Sequence, residues 1–188
     1  MENLKNYRQI ADDFNQEARK EDGMFSKETE CDRLSIAWLR EIVYSDMHAL
    51  EIGCGMGKVI KALGCYQYGI DISKEMIERC GGDFIVGNMD ELPYEKNKFD
   101  IVYMIMTLQQ SLDVKKTLSE MKRVTKKGGR MIIIDGDKDS GIGKERETKM
   151  KEGTWETCGQ AKWLSAKQFK GWEIDHLAPH IIIINKTK

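Results

Sequence analysis

The sequence predicts an α/β fold in which crossover helices cover a mostly parallel sheet. Short β-rich runs alternate with amphipathic helical segments along most of the chain, the pattern of a sheet built from crossover units. The run Phe99–Met106 is almost entirely apolar, as a strand covered on both faces requires. The run HALEIGCGMGKVI, residues 48–60, is typical of a strand, a tight glycine turn and a helix that begins near Val59.

Periodicity and capping residues predict the other elements. Before the glycine turn, a first helix has apolar residues from Tyr7 to Ala18 on one face, and a second helix is predicted over Leu34–Val43. After the turn, the predicted order is strand Tyr66–Ile72, a helix from Ser73 to Cys80, strand Asp83–Val86, strand Phe99–Met106, a helix from Asp113 to Val124, and strand Met131–Ile134. A short helix at Ser165–Lys170 then precedes two strands that should form an antiparallel hairpin, Trp172–Leu177 and His180–Asn185.

Length and composition indicate one domain over residues 1–188. The chain is long enough to bury a core, and its formal net charge of −1 gives no overall attraction to nucleic acid. Five scattered cysteines without C-x-x-C spacing indicate reduced thiols, and no apolar run approaches the length of a membrane span. We therefore expect a cytoplasmic protein, a monomer or homodimer, that binds neither nucleic acid nor a membrane.

The glycine spacing argues against two nucleotide sites. A P-loop needs glycine five residues before its Gly-Lys pair and Ser or Thr after it, whereas Ile52 and Val59 occupy those positions. A dinucleotide fingerprint needs a third glycine where Lys58 stands. What remains is G-x-G-x-G directly preceded by Glu51 and its strand, with a second acid, Asp71, at the end of the next strand.

With these residues, the chain resembles the class I S-adenosylmethionine-dependent methyltransferases, especially their small-molecule biosynthetic members. The resemblance rests on the order and spacing of LEIGCGMG, YGIDIS, GNMDELPYEKNKFDIV and KRVTKKGGRMIIID, which span Leu50 to Asp135. It implies a Rossmann-like three-layer sandwich with a seven-stranded sheet of order 3-2-1-4-5-7-6, the last strand antiparallel. It also implies S-adenosylmethionine as the cofactor and S-adenosylhomocysteine as the product.

The predicted elements divide the chain into four parts. Residues 1–45 would be an N-terminal helical flank and residues 46–135 the cofactor-binding core. Residues 136–164, polar and rich in glycine, would be a lid loop with a broken helix near Lys144–Lys151. Residues 165–188 would be a helix plus the C-terminal hairpin.

The resemblance implies roles for five residues around the glycine turn. Gly53 and Gly55 would let the backbone approach the methionyl and ribose part of the cofactor, and Cys54 would act chiefly through its backbone. Glu51 would organise the site near the cofactor's amino group. Asp71 would accept hydrogen bonds from both ribose hydroxyls, because a carboxylate offers two acceptor oxygens to a vicinal diol.

Four further residues are implied along the rest of the cofactor. Ile72 and Met89 would sandwich the adenine. Asn88 stands where many family members have Asp, and its amide oxygen would accept the adenine amino group as a neutral acceptor. Met104, with Ile105, would lie beside the reactive sulfonium.

The acceptor side has no predicted catalytic base. Methyl transfer from a sulfonium is an in-line displacement with an activated leaving group, so positioning and desolvation can suffice. Gln109 and Gln110 stand where many small-molecule members have a His-His pair, and glutamine cannot act as a base near neutrality. We expect these two residues to line the acceptor site. Aromatic candidates for the same wall are Tyr7, Phe14, Trp155 and Trp163.

The alternative hypothesis is a non-catalytic protein that binds S-adenosylmethionine, such as a regulatory or partner subunit. No [DN]-P-P-[YF] tetrapeptide follows the fourth strand, which favours a small-molecule acceptor over a nucleobase. No metal site is predicted. Asp135, Asp137 and Asp139 match the start of a calcium loop, but Ser140 and Arg146 occupy its glycine and glutamate positions.

Overall fold

A seven-stranded sheet forms the centre of the computed structural model, which describes residues 2–21, 25–81, 84–152 and 164–188. The strands are β1 (His48–Ile52), β2 (Tyr66–Asp71), β3 (Ile85–Val86), β4 (Phe99–Ile105), β5 (Thr125–Gly136), β6 (Glu173–Ala178) and β7 (Ile181–Thr187). Their order is β3-β2-β1-β4-β5-β7-β6. Pairs from β3 to β5 are parallel, whereas β7 runs antiparallel to both β5 and β6. The predicted fold class and strand order are confirmed.

Five helices accompany the sheet in the described part of the chain. They are α1 (Glu2–Arg19), α2 (Glu30–Arg40), α3 (Lys74–Cys80), α4 (Val114–Val124) and α5 (Gly141–Lys151). None of the helices in these ranges is long and apolar enough to cross a membrane.

The sheet is buried on both faces, which explains the apolar run of β4. Alternate residues of this strand enter opposite cores, with Val102 and Met104 in one and Ile101 and Tyr103 in the other. Met121 and Val124 of α4 pack into the first core, whereas Ile36 and Leu39 of α2 pack into the second. Helices therefore cover both faces, and the predicted three-layer arrangement is observed.

Caps explain where the helices begin. The predicted caps are present, since the Ser73 hydroxyl accepts from the Met76 N–H at 3.2 Å and the Asp113 carboxylate accepts from the Lys116 N–H at 3.1 Å. Helix α2 begins four residues earlier than predicted. The reason is a capping box in which Thr29 accepts from the Asp32 N–H and Asp32 accepts from the Thr29 N–H.

The segment after the glycine turn differs from the prediction. Instead of an α-helix from Val59, the chain forms a single 3₁₀ turn, Ile60–Ala62. Only residues 58–65 separate the glycine turn from β2, and Gly64 interrupts them, so there is no room for a helical crossover of normal length. The helix predicted at Ser165–Lys170 is likewise reduced to a 3₁₀ turn, Ala166–Gln168.

Strand β5 starts six residues before its predicted beginning at Met131. Gly128 and Gly129 lie within this strand, and α4 ends at Val124, the predicted end of that helix. A register shift between Phe99 and Ile101 of β4 accommodates the longer strand. The predicted lid segment contains α5, whereas Trp155 and Trp163 lie outside the described residues.

Candidate functional site

A cavity of about 540 Å³ lies at the carboxyl ends of the central parallel strands. Its wall is formed by the ends of β1, β2, β4 and β5, together with residues of α1 and of the beginning of α2. This is the usual place for a ligand in an open α/β sheet, and the volume is that of a small-molecule site.

The glycine turn forms one wall of the cavity. Its glycines have positive φ, 74° at Gly53, 51° at Gly55 and 73° at Gly57. The backbone N–H groups of Gly53 and Cys54 both donate to the Ile70 carbonyl, at 2.7 and 3.1 Å, which holds the turn against β2. A Cβ at Gly53 would lie 2.3 Å from the Thr107 Oγ1. Glycine is therefore required at position 53 by both conformation and space.

Asp71 joins the glycine turn to the start of α3. Its Oδ2 accepts from the Gly55 N–H at 2.9 Å, and its Oδ1 accepts from the Ser73 N–H at 2.8 Å. Burial raises the pKa of this carboxyl, and the N–H donors oppose the rise. A carboxylate has about four acceptor positions, so one on each oxygen remains for a ligand hydroxyl at this cavity wall.

Glu51 lies deeper in the same wall and is 3% exposed. Its Oε2 accepts from the Ile60 N–H at 3.0 Å and from the Tyr103 hydroxyl at 3.2 Å. Burial raises the pKa of Glu51 to about 8, although both donors lower it. In the ligand-free protein this carboxyl is therefore mostly protonated at neutral pH, and a cationic ligand group would favour its ionised form.

Some of the residues predicted to contact the adenine and the sulfonium line the cavity, and others do not. Ile72 and Met89 line the cavity. Asn88 is not among its lining residues, and its amide oxygen accepts from the Asp90 N–H at 2.9 Å. Met104 is fully buried in the apolar core. Because side chains alternate along β4, the cavity wall at this point is made by Ile105 and the following residues instead.

The predicted acceptor residues Gln109 and Gln110 both line the cavity, from the 3₁₀ turn Leu108–Gln110. The Gln109 side-chain amide donates to the Met106 carbonyl at 3.1 Å. Met106 has φ of 50°, which is uncommon for a residue with a side chain and marks a strained corner between β4 and this turn.

Tyr7, which was predicted to line the acceptor site, is not among the residues that line the cavity. It is 7% exposed, and its hydroxyl donates to Asp90 and accepts from the Leu112 N–H at 3.2 Å. Burial and the Asp90 hydrogen bond raise the pKa of Tyr7. Ile10 and Phe14, further along α1, line the cavity instead, so Tyr7 fixes the helix that carries them.

Several cavity residues were not predicted. They are contributed by chain segments far from the glycine turn and include Phe25, Cys31, Arg146, His180 and Ile181. No sequence motif for a ligand site lies next to these residues. Only the T-x-x-D spacing from Thr29 to Asp32 could have indicated that α2 begins at the cavity.

The aspartates at the end of β5 and directly after it lie in different surroundings. Asp135 is fully buried, while the Asp139 carboxylate accepts from the Ser165 hydroxyl at 2.8 Å and pairs with the Lys167 ammonium at 3.1 Å. Among the residues that the structure describes, no three His, Cys, Asp or Glu side chains are grouped to hold a metal ion.

Comparison with known proteins identifies the core of the chain. Residues 50–133 match the family described as a methyltransferase domain. Over these residues the chain is similar to that family. The match covers β1 to β5 and therefore contains the glycine turn, Asp71 and the Gln109–Gln110 turn.

Two curated proteins are similar to this chain over part of their length. An uncharacterised protein of Methanocaldococcus jannaschii is 37% identical over 122 residues, which cover 63% of this chain and 58% of that protein. A demethylmenaquinone methyltransferase of Bacillus mycoides is 32% identical over 128 residues, covering 57% of this chain and 54% of that protein. The chain thus spans little more than half the length of these curated relatives.

A solved structure shows the same fold over almost the whole chain. It is the putative methyltransferase of Haloferax volcanii in complex with the Trm112 methyltransferase activator. The TM-score is 0.76 at 17% identity, with 95% of this chain and 98% of that chain covered. A protein of Thermotoga maritima described as a SAM-dependent methyltransferase has the same fold, with a TM-score of 0.67 at 22% identity and with 84% of this chain and 91% of that chain covered.

Proposed function

We propose that this protein transfers a methyl group from S-adenosylmethionine to an apolar small-molecule acceptor. The observation that carries the proposal is Asp71, whose carboxylate is fixed by two backbone N–H groups and retains acceptor capacity at the cavity wall. The glycine turn beside it has no side chain between the backbone and the cavity. These features fit a ligand with a vicinal diol next to a chain that approaches the backbone.

The cavity also fits the remainder of the cofactor. Glu51 is a buried carboxyl suited to an ammonium group, and Ile72 and Met89 offer apolar surfaces suited to a purine ring. The cofactor, when bound, supplies the electrophilic methyl group and a leaving group activated by its positive charge.

The residues of this chain contribute positioning and the exclusion of water. Asp71 and Glu51 would hold opposite parts of the cofactor, which fixes the direction of the methyl group. Phe14 and Phe25, whose ring centroids are 5.6 Å apart, and Ile105 would exclude water from the acceptor side. Gln109 and Gln110 would orient the acceptor by hydrogen bonds without removing a proton.

The relatives support an apolar acceptor of small size. One relative is named as a demethylmenaquinone methyltransferase and another as a sterol 4-C-methyltransferase. The largely apolar wall around Ile10, Phe14, Ile105 and Ile181 would suit an acceptor of similar character. A cytoplasmic location and a monomeric or dimeric state stay predictions.

Binding calorimetry with S-adenosylhomocysteine tests the cofactor site. We expect binding to the wild type and a loss of about tenfold or more in Asp71→Asn, because one charge-assisted hydrogen bond contributes roughly 1.5–3 kcal/mol. Asp46→Asn, at an exposed position, is the matched control and should bind like the wild type. An absence of binding to the folded wild type would refute the proposal.

A second experiment separates an enzyme from a non-catalytic binding protein. Wild-type protein with methyl-labelled S-adenosylmethionine is incubated with a panel of quinols, phenols, sterols and amines, and label in the products is counted. Transfer to an apolar acceptor is expected. Tight cofactor binding without transfer to any class would favour the regulatory or partner role.

A further inference from the structure

Asp90 is a buried carboxyl to which the proposed reaction assigns no role. It directly follows Met89 of the cavity wall but is not itself a lining residue, and it is 5% exposed. Its Oδ2 accepts from the Tyr7 hydroxyl, and its Oδ1 accepts from the Thr117 hydroxyl. A carboxyl withdrawn from water needs such donors. Here each oxygen has a donor from a different helix, α1 for Oδ2 and α4 for Oδ1.

The same hydrogen bonds extend to the chain that follows the turn Leu108–Gln110. The Tyr7 hydroxyl accepts from the Leu112 N–H at 3.2 Å, and the hydroxyl oxygens of Ser111 and Thr117 are 2.8 Å apart. Ser111 is 3% exposed and Thr117 is fully buried, so water does not compete for these contacts. The network therefore joins α1 and α4 to the residues directly after the turn.

Three parts of the cavity wall meet at this network. Helix α1 contributes Ile10 and Phe14, the turn Leu108–Gln110 contributes its two glutamines, and Met89 directly precedes Asp90. Apolar contacts alone tolerate a rotation or a slide of a helix, whereas hydrogen bonds have defined directions. The network therefore fixes where α1 lies relative to the turn.

A second polar contact holds α1 at the other end of its cavity-lining face. The Asn15 side-chain oxygen accepts from the Ser73 hydroxyl at 2.7 Å and from the Glu75 N–H at 3.2 Å. Ser73 also donates its backbone N–H to Asp71 at 2.8 Å. Tyr7 and Asn15 are eight residues apart, or about 12 Å along a helix, and the residues of α1 that line the cavity lie between them. Hydrogen bonds thus hold α1 on both sides of the part that lines the cavity.

We propose that Asp90 is a positioning residue, which holds α1 and the turn Leu108–Gln110 in place at the cavity through the hydroxyls of Tyr7 and Thr117. The inference rests on the proposed function in taking this cavity as the site of S-adenosylmethionine. Without these hydrogen bonds α1 has no single fixed position, and only a fraction of the molecules has the wall that the ligand needs. The apparent dissociation constant then rises by the inverse of that fraction.

Calorimetry with S-adenosylhomocysteine tests the network at a temperature at which every variant is folded. Tyr7→Phe and Thr117→Val each remove one hydroxyl and keep the packing, and binding should weaken about fivefold or more. Asp90→Ala, which removes both acceptors, should weaken binding at least as much. Thr117→Ser keeps the hydroxyl and loses a methyl group, whereas Tyr44→Phe removes a hydroxyl from a residue that is 60% exposed. Both of these variants should bind within about twofold of the wild type.

Hydrogen exchange tests the same network without a ligand. In the wild type, the Leu112 amide should be protected by its hydrogen bond to Tyr7. In Tyr7→Phe it should exchange at least about tenfold faster, because its acceptor is absent. The amides of residues 8–18 in α1 should exchange faster in both Tyr7→Phe and Thr117→Val, whereas those of the edge strand β6 should be unchanged.

Three results would overturn the inference. They are an unprotected Leu112 amide in the wild type, unchanged affinity in Tyr7→Phe and Thr117→Val, and weaker binding by Thr117→Ser than by Thr117→Val, which would indicate packing instead of hydrogen bonding. If Tyr7→Phe does not fold, the comparison of the two Thr117 variants still decides. A wild type that fails to bind S-adenosylhomocysteine would refute the proposed function. Faster exchange of α1 in Thr117→Val than in Thr117→Ser would then still support the role of Asp90, and equal exchange would refute it.

Discussion

Replacing Glu51 by Gln is expected to stabilise the ligand-free protein, and increasingly so as the pH rises. Glu51 is buried at the end of β1, and burial raises its pKa from 4.5 to about 8. The raised pKa means that the folded protein disfavours the ionised carboxylate. Glutamine has the same shape, carries no charge, and can still accept a hydrogen bond from the Ile60 N–H or the Tyr103 hydroxyl.

The sign and size of the effect follow from proton linkage. Because the folded-state pKa lies above the unfolded one, stability is highest below about 4.5 and falls as the pH rises towards about 8. At 1.36 kcal/mol per pKa unit, the rise in the pKa of Glu51 from 4.5 to about 8 corresponds to roughly 5 kcal/mol in the free energy of unfolding. Between about pH 5 and pH 8, the advantage of Glu51→Gln should therefore grow by roughly 2–4 kcal/mol.

Urea unfolding at these two pH values measures the change. Glu95→Gln is the control, because Glu95 is exposed and its replacement should change the free energy of unfolding by less than about 0.5 kcal/mol at either pH. An advantage of Glu51→Gln that is the same at both pH values would refute the reasoning. So would a variant that is less stable than the wild type at the higher pH.

Three further predictions concern ligand binding. The affinity of the wild type for S-adenosylhomocysteine should rise roughly 50-fold from about pH 6 to pH 8 in calorimetry, because Glu51, with its pKa raised to about 8, must ionise to meet the ligand's ammonium group; a flat profile would contradict this. Gly53→Ala should cost about 2–4 kcal/mol in thermal or urea unfolding and abolish binding, since its Cβ would clash with Thr107, whereas Gly55→Ala, with open space around it, should cost only about 1 kcal/mol. Gln109→Ala should change which acceptors are methylated more than the rate with the best one, and a complete loss of transfer with intact cofactor binding would argue for a direct chemical role.

The cavity wall that contains the glycine turn, Glu51 and Asp71 could be predicted from the sequence because these groups are close together in the chain. The glycine turn, Glu51 before it and Asp71 after it lie within 21 residues of one another. Parallel pairing of β1 with β2 sets Ile52 opposite Ile70, which brings the turn and Asp71 to the same sheet edge. Short-range patterns and strand pairing therefore suffice to place these groups.

The rest of the cavity wall depends on tertiary packing, which short-range sequence patterns do not predict. His180 and Arg146 reach the cavity only because β7 returns beside β5 and α5 follows β5. Met104 and Asn88 do not line the cavity. The alternation of side chains along β4 turns Met104 into the apolar core, and the Asn88 side chain accepts a hydrogen bond from the Asp90 N–H. The α-helix predicted after the glycine turn is replaced by a 3₁₀ turn. The segment between the two strands is too short for a helix, although its apolar residues have helical spacing.

Glu51 and Asp135 share a property that links pH to stability. Each is a buried carboxyl near the end of a central strand, and each has a pKa raised into the neutral range, to about 8 and about 7. Each ionised carboxylate lowers stability at and above neutral pH, so Gln and Asn at these positions would give a more stable protein. If Glu51 holds the ammonium group of the ligand, Glu51→Gln should gain stability and lose cofactor affinity, whereas Asp135→Asn should gain stability and keep cofactor affinity.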